Sequence, residues 1–412
     1  MRRVVVTGMG ALTPVGNNLE ETWTAFKEGK PGVARITLFD PSPYEIQIGG
    51  EVKNFDNAGI NPKELRHMDR SVQFAVVAAQ EALRDAGYQI TPENADRTGI
   101  IIGSAAGGLG IILNQQKVLE ERGPRRLSPF FLANMLPDSA SGQVAIAVGA
   151  RGPNMAVASA CATGSHAIGE AWETIRRGDA DAILAGGTDA VIVPLVLAGF
   201  VVMRGLGNDP DPARACKPFD KNRNGFVLSE GCGILLLEDL EHAQARGARI
   251  YAEVIGYGSS NDAFDMFGQS ESGGAAIRMM RMALHKAGIA PEDVDYIVAH
   301  GTGTPLNDRV ETLAIKQTFG EHARDLVVSS FKSMTGHMMG ASGAIGAINA
   351  VKAVQEGVIP PTTNYSTPDP DCDLDYNTGG GVREKDIDVA ISNAIGLGGH
   401  NACVVVRKYQ GT

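Results

Sequence analysis

No pair of cysteines in this chain stands in a CxxC arrangement, and the five present (Cys161, Cys216, Cys232, Cys372 and Cys403) are scattered along it. That excludes the common zinc and disulfide frameworks, so no metal is expected and each thiol is read alone, most as small buried hydrophobes. A cationic excess is missing too. With 37 Lys and Arg against 47 Asp and Glu the formal charge is -10, which argues against a nucleic-acid partner, because displacing counterions from phosphate takes a dominant basic field. A long apolar run at the N-terminus is absent as well. MRRVVVTGMG opens the chain with a stretch too short for a signal segment or a membrane span, and the sequence predicts a protein with no membrane partner, located in the cytoplasm. What is plentiful is glycine, 51 residues with no three-residue period, in a chain of 412 residues that is 43% hydrophobic. Many tight turns and close backbone approaches around a large core follow from that balance.

Short apolar runs bounded by glycine recur. Residues 2–7, 99–103, 155–159 and 182–187 read as buried strands, and 72–86 and 164–178 as helices from their length and apolar spacing. This alternation predicts an α/β protein with a largely parallel sheet covered by helices. The theme then repeats: strands at 250–256, 294–299 and 326–330, with a helix at 277–288. ASACATGSHAIGEAWETIRRGDADAILAGG aligns in kind with SSFKSMTGHMMGASGAIGAINAVKAVQEGVIPP, and GFVLSEGCGILLLEDL with VAISNAIGLGGHNACVVVRK, each of the latter two read as a hairpin-like strand pair. Two duplicated halves are expected, 1–250 and 251–412, with no linker between them and a site at their junction.

Cys161 lies between an apolar run and a helix whose first turn, ATGS, is all small. That position puts sulfur near unpaired helix N-terminal amides, which would lower the thiol pKa and could hold an oxyanion, and no packing need is evident for so small a turn. For Cys232 and Cys403 the packed-core reading is plainer. His300 closes a strand and opens HGTGTP, whose glycines admit a ligand and whose Thr302 and Thr304 offer hydroxyls; ligands bind at strand carboxyl ends in such sheets. His337 holds the matching place in KSMTGHMMGASG. Lys332, five residues earlier, either orients that histidine or is an ordinary solvated charge. His67, His166, His242, His285, His322 and His400 receive no catalytic role. Around Leu397, SNAIGLGGHNA is a backbone-driven turn whose N–H groups could face a reacting centre, though alone it reads as a hairpin turn.

In their order, ASACATGSHAIGEA, AHGTGTPLND, KSMTGHMMGASGA and SNAIGLGGHNA resemble the motifs of the β-ketoacyl-[acyl-carrier-protein] synthases, most of all the synthase II branch of bacterial fatty-acid synthesis, and the resemblance runs from VVVTGMGALTPVG to NACVVVRK. It implies a thiolase-like fold of two βαβαβαββ halves layered α-β-α-β-α, the N-terminal half bearing the nucleophilic cysteine and the C-terminal half the two histidines, in a homodimer. It implies an acyl chain carried on Cys161, then decarboxylation of malonyl-carrier protein and condensation to a 3-oxoacyl chain two carbons longer. His300 and His337 would donate to the thioester oxygen, Lys332 would support the second histidine, and the backbone N–H groups of Cys161 and Leu397 would form an oxyanion hole. Thr302 and Thr304 would hold the pantetheine arm, and Ala106, Phe200 and Leu397 would line the acyl pocket. No bound cofactor is implied, since phosphopantetheine arrives on the acyl carrier protein, and Lys63, Arg66, Arg125, Arg126 and Arg204 match the docking face for that acidic partner.

Several positions depart from the family pattern. Leu397 and Ile395 stand where phenylalanines are usual, Gly346 where a glutamate is common, Phe267 and Gly268 where a Thr-Ser pair often touches pantetheine, and Ala106 where isoleucine often lines the acyl tunnel. A roomier pocket is the expectation. A polyketide or other specialised ketosynthase remains an alternative on these grounds. A non-catalytic partner subunit would lack the cysteine, and a degradative thiolase would carry a second cysteine near the C-terminal glycine turn, where SNAIGLGG has none.

Overall fold

The computed structural model describes residues 1–57 and 59–411. Ten strands build one sheet: β1 (Val4–Leu12), β2 (Thr98–Gly103), β3 (Asn154–Met155), β4 (Ala182–Asp189), β5 (Gly231–Asp239), β6 (Ala252–Asn261), β7 (Tyr296–Val298), β8 (Val327–Ser329), β9 (Val389–Gly396) and β10 (His400–Lys408). Their spatial order is β8-β7-β9-β10-β6-β1-β5-β4-β2-β3. Counted outward from the centre, the first half runs first, fifth, fourth, second, third strand, and the second half repeats that order and the same directions. The duplication legible in the sequence is thus a duplication of topology.

The sheet is not largely parallel as the strand-helix alternation suggested. Parallel pairing is confined to β4-β2-β3 and β9-β7-β8, whereas β1, β5, β6 and β10 pair antiparallel. In the second half the cause is the tight β9–β10 connection, too short for a crossover, which must reverse the chain; β4 and β5 also run antiparallel, although a long segment containing the helix Pro194–Val202 joins them. The expected hairpin within 225–240 is also corrected. Residues 225–230 form isolated bridges to other segments, and β5 pairs instead with β4 and β1. Among the described strands of the sheet, β9 and β10 alone make a tight hairpin, with Gly396 opposite His400. The strand expected over 155–159 shrinks to Asn154–Met155 at the sheet edge.

Central pairing of β1 with β6 covers only Val4–Val6. Beyond it, amides on the free edge of β1 are taken by carboxylates of the helix α1 (Arg70–Asp85): Met9 N–H donates to Asp85 and Ala11 N–H to Glu81, both at 2.9 Å. These side chains satisfy the edge where no strand follows, and the sheet divides into two layers. Between the layers lie α3 (Thr163–Arg177) and α6 (Gly340–Glu356), which touch each other and strands of both halves. Outside, α1 and α2 (Ser139–Val148) cover the first half and α4 (Gly274–Ala287) and α5 (Pro305–Phe319) the second.

Close approach of the two central helices demands glycine. A side chain at Gly164 would put its Cβ 2.7 Å from the Gly340 carbonyl, and one at Gly343 would sit 2.6 Å from Ser165 Oγ. The small first turn after Cys161 therefore does meet a packing need, contrary to the sequence reading. Gly346 likewise admits Ser392 of β9, whose Oγ would stand 2.5 Å from a Cβ there.

Candidate active site

The chain enters α3 through a strained corner. Ala160, immediately before Cys161, adopts φ +49, a left-handed conformation that a residue with a Cβ rarely takes. Thr163 Oγ1 accepts the Ser159 N–H at 2.9 Å, and Ser159 Oγ bonds His166 Nδ1 at 2.7 Å, whose Nε2 meets Ser259 Oγ at 3.0 Å. His166, given no role from sequence, thus buttresses the corner from α3. Gly396 packs against it from β9, where a Cβ would lie 3.1 Å from Cys161 N. The glycine turn at 397–399 is a hairpin turn, with Gly398 and Gly399 at φ 76 and 78, and it also aims the Leu397 N–H at the Cys161 sulfur.

His300, at the end of β7, is fixed by its backbone. Two carboxylates on the first turns of α5 reach back to the HGTGTP loop: Glu311 accepts the N–H groups of His300 (2.8 Å) and Gly301 (2.9 Å), and Asp308 accepts those of Thr302 (3.1 Å), Gly303 and Phe219 (2.8 Å). Both carboxylates are fully buried. Sequence reading missed them, although acids at the start of a helix that follows a glycine loop are the pattern for holding that loop's amides. Lys332 Nζ donates to the His300 carbonyl at 2.6 Å. Its contact is therefore to the first histidine's main chain and not to the ring of His337, the partner the resemblance implied.

His337 is set by Ser342, in the first turn of α6. Ser342 Oγ accepts the Met338 N–H (2.9 Å) and lies 2.9 Å from His337 Nδ1. With Nδ1 engaged by the hydroxyl, Nε2 is the ring nitrogen left for a ligand. That Nε2 is buried with no partner among the described residues. The rings of His300 and His337 meet edge to face with centroids 5.2 Å apart.

Cys161, His300 and His337, from both halves of the chain, line a single cavity of about 460 Å³, together with Thr302, Thr304, Phe200 and Leu397. Ala106 does not line it. It packs with Phe200 and Met339 in the cluster beneath, so the enlarged pocket expected from this small residue is not open there. The five basic residues proposed from sequence are all exposed; Arg204 is on the cavity rim, and a stack of His67 on Phe130, centroids 3.9 Å apart, joins the segment of Lys63 and Arg66 to that of Arg125 and Arg126.

Electrostatics divide the groups. Burial, then the charge of Lys332, holds both imidazoles well below the usual histidine range, so they are neutral at pH 7. Burial brings Lys332 down to about 8, against the pull of Glu311. The thiol contradicts the sequence expectation: burial pushes Cys161 up to about 11, although the N–H groups of Leu397 and of Cys161 itself and the Lys332 charge pull the other way. Desolvation of the anion outweighs the helix-terminal field. Asp189 is a further carboxylate missed in the sequence. It is raised to about 6 by burial and ties Ser104, Ala105 and Ala106 to the Gly340 N–H at the start of α6.

A thiol, two neutral imidazoles and converging backbone amides in one half-closed cavity define a condensing acyltransferase site, and the family comparison agrees. Residues 1–243 match the beta-ketoacyl synthase N-terminal domain and residues 251–366 its C-terminal domain. The chain belongs to the β-ketoacyl synthases. It is 48% identical over 410 residues to the 3-oxoacyl-[acyl-carrier-protein] synthase 2 of Staphylococcus aureus, covering 99% of both chains. It is 49% identical over 411 residues to the protein of the same name from Synechocystis sp., again over 99% of both. Among solved structures, the ketosynthase of the AntDE:AntF complex, a type II PKS acyl-carrier protein with its ketosynthase bound to the hexaketide, superposes with a TM-score of 0.91 at 35% identity, over 99% of this chain and 100% of that one. The thiolase-like layered fold is the fold of this family.

Proposed function

We propose that this protein is a 3-oxoacyl-[acyl-carrier-protein] synthase that elongates fatty acids by decarboxylative condensation, with Cys161 as nucleophile. The observation that carries this reading is the convergence of Cys161, His300 and His337 in one cavity of a chain nearly half identical to synthases of that name over its whole length.

In the first half-reaction Cys161 sulfur attacks the thioester of an acyl chain on carrier-borne phosphopantetheine; the carbon-sulfur bond to the carrier breaks and the thiol proton passes to the departing pantetheine sulfur. In the second, malonyl-carrier protein loses carbon dioxide. The enolate oxygen that develops is met by N–H donors of the two neutral imidazoles, His337 through its Nε2, which has no partner among the described residues. The enolate carbon attacks the acyl-Cys161 carbonyl, whose oxygen faces the Cys161 and Leu397 amides, and the sulfur leaves and regains a proton. Lys332, through the His300 carbonyl, and Thr302 and Thr304 along the pantetheine path are positioning residues, and Phe200 and Leu397 border the acyl chain.

The carrier would approach over Lys63, Arg66, Arg125, Arg126 and Arg204, since an exposed basic face on a protein of charge -10 steers an acidic partner. A carrier-protein ketosynthase complex among the structural neighbours supports that partner. A second copy of the chain would cover the edge strand β3 and the helix beside it, where Met155 is 44% and Ile146 73% exposed. The chain divides functionally near residue 250, the nucleophile before it and the histidines after it. No helix among the described residues is long and apolar enough to cross a membrane, in keeping with work in the cytoplasm. A polyketide role is the second reading, supported by the neighbour bound to a hexaketide but at lower identity. Product analysis separates them. With an octanoyl primer and malonyl-carrier protein, a saturating single extension to the 3-oxodecanoyl carrier supports fatty-acid elongation, and repeated extension without reduction supports polyketide assembly.

A further inference from the structure

Six side chains with hydrogen-bonding groups line the cavity besides the thiol and the imidazoles. Five are accounted for. Thr302 and Thr304 bond each other at 3.0 Å, Asn224 Nδ2 donates to the Asn208 carbonyl at 2.9 Å, Asn307 Nδ2 donates to Asp308 at 3.1 Å, and Arg204 is an exposed charge on the rim. The sixth is Gln269. Its Nε2 is buried in the cavity wall with no partner among the described residues, a state that costs free energy unless a ligand completes it.

The loop that carries Gln269 is held firmly toward the reacting centre. Asp265 accepts the N–H groups of Phe267 and Gly268, both at 2.9 Å, and the Met266 carbonyl accepts the Gly398 N–H at 2.9 Å, which fastens the loop to the turn bearing Leu397. Beside Gln269 the wall is open. A Cβ at Gly268 would meet nothing nearer than Asp265 Oδ1 at 3.6 Å, and Phe267 turns outward, 66% exposed. Neither of these two residues has a polar side chain, so on this wall of the cavity Gln269 supplies the unused hydrogen-bonding group.

We infer that Gln269 is a specificity-determining residue that hydrogen-bonds an amide of the pantetheine arm, the outer one remote from the thioester, because the residue stands in the rim loop and not beside Cys161. This rests on the proposed use of pantetheine thioesters. A primary amide offers both a donor and an acceptor, which matches a secondary amide of the arm, and it recognises pantetheine whether carried by a protein or by coenzyme A.

The test compares octanoyl-pantetheine with octanoyl-N-acetylcysteamine, which lacks the outer amide, as donors to Cys161, following acyl mass on the intact protein against donor concentration. Gln269→Met keeps the chain length and removes both hydrogen-bonding atoms. Expected is a roughly threefold to tenfold weaker half-saturation for octanoyl-pantetheine with an unchanged limiting rate, the effect of one neutral hydrogen bond, and no change for octanoyl-N-acetylcysteamine, which also shows that the variant is folded. Equal losses with both donors, or none with either, overturn the inference. Failure of the underlying reading looks different: wild-type protein would then take no octanoyl group from any pantetheine donor, or would take it faster from octanoyl coenzyme A than from the octanoyl carrier while Gln269→Met still showed the selective loss.

Discussion

Replacing His300 or His337 with alanine is expected to lower the rate of condensation by about 10²–10³, the usual effect of removing one donor from a developing oxyanion. Acylation of Cys161 should survive in both variants, because the amides of Cys161 and Leu397, and not the imidazoles, face the acyl oxygen. The two substitutions should not be equivalent in the contacts they break. Both rings are kept neutral by burial and by the nearby Lys332 charge, so wild-type condensation should show no loss as ordinary histidines titrate between about pH 6.5 and 7.5, and changes beyond that window report Asp189, held at about 6, and Lys332, held at about 8. In His337→Ala, Ser342 loses its hydrogen-bond partner at Nδ1, whereas in His300→Ala the Lys332 and Glu311 contacts are kept because they are made to the main chain. Malonyl decarboxylation measured by carbon dioxide release, alongside acyl mass on the enzyme, separates the steps. Loss of acylation together with condensation would show that the histidines serve the nucleophile instead.

The second large effect concerns that nucleophile in its resting state. Alkylation of Cys161 by iodoacetamide is expected to rise about tenfold per pH unit, roughly 10³ in all from pH 6 to 9, without a plateau, since the rate follows the thiolate fraction of a thiol held at about 11. A plateau near neutrality would mean that the α3 terminus and Lys332 overcome burial. The difference matters for mechanism: a protonated resting thiol is protected from oxidation and adventitious alkylation, and becomes nucleophilic only as a bound thioester supplies a sulfur to take its proton.

How far this site could be read in the sequence follows from what is local and what is not. Cys161, His300 and His337 each stand at a strand end followed by glycine and small residues, and that local pattern marks them. The duplication was legible for the same reason, because a repeated order of strand, glycine turn and helix is written in order along the chain. Pairing is not local. That β5 lies between β1 and β4, with 225–230 left out, depends on segments far apart in sequence, so the first expected hairpin failed while the contiguous β9–β10 hairpin held. The direction of the Cys161 shift failed for a related reason: the helix terminus is visible in ATGS, but the burial that opposes it is supplied by α6 and the 396–399 turn from the other half. Glycines at 164, 340 and 343 serve that contact, and they read as chemistry until the partner helix is seen. Asp308 and Glu311 look like ordinary helix-start acids, and only their burial beneath the loop reveals what they hold.

The claim that Cys161 carries the growing chain is tested most directly by intact-protein mass spectrometry of wild type and Cys161→Ser after exposure to an acyl-carrier protein, followed by malonyl-carrier protein. Expected is one acyl mass on the wild type and none on the variant, with that mass lost on malonyl addition as a chain two carbons longer appears on the carrier. A wild-type protein that never gains the acyl mass, or a variant that gains it elsewhere, contradicts the mechanism and points to a partner subunit that only shapes another enzyme's product.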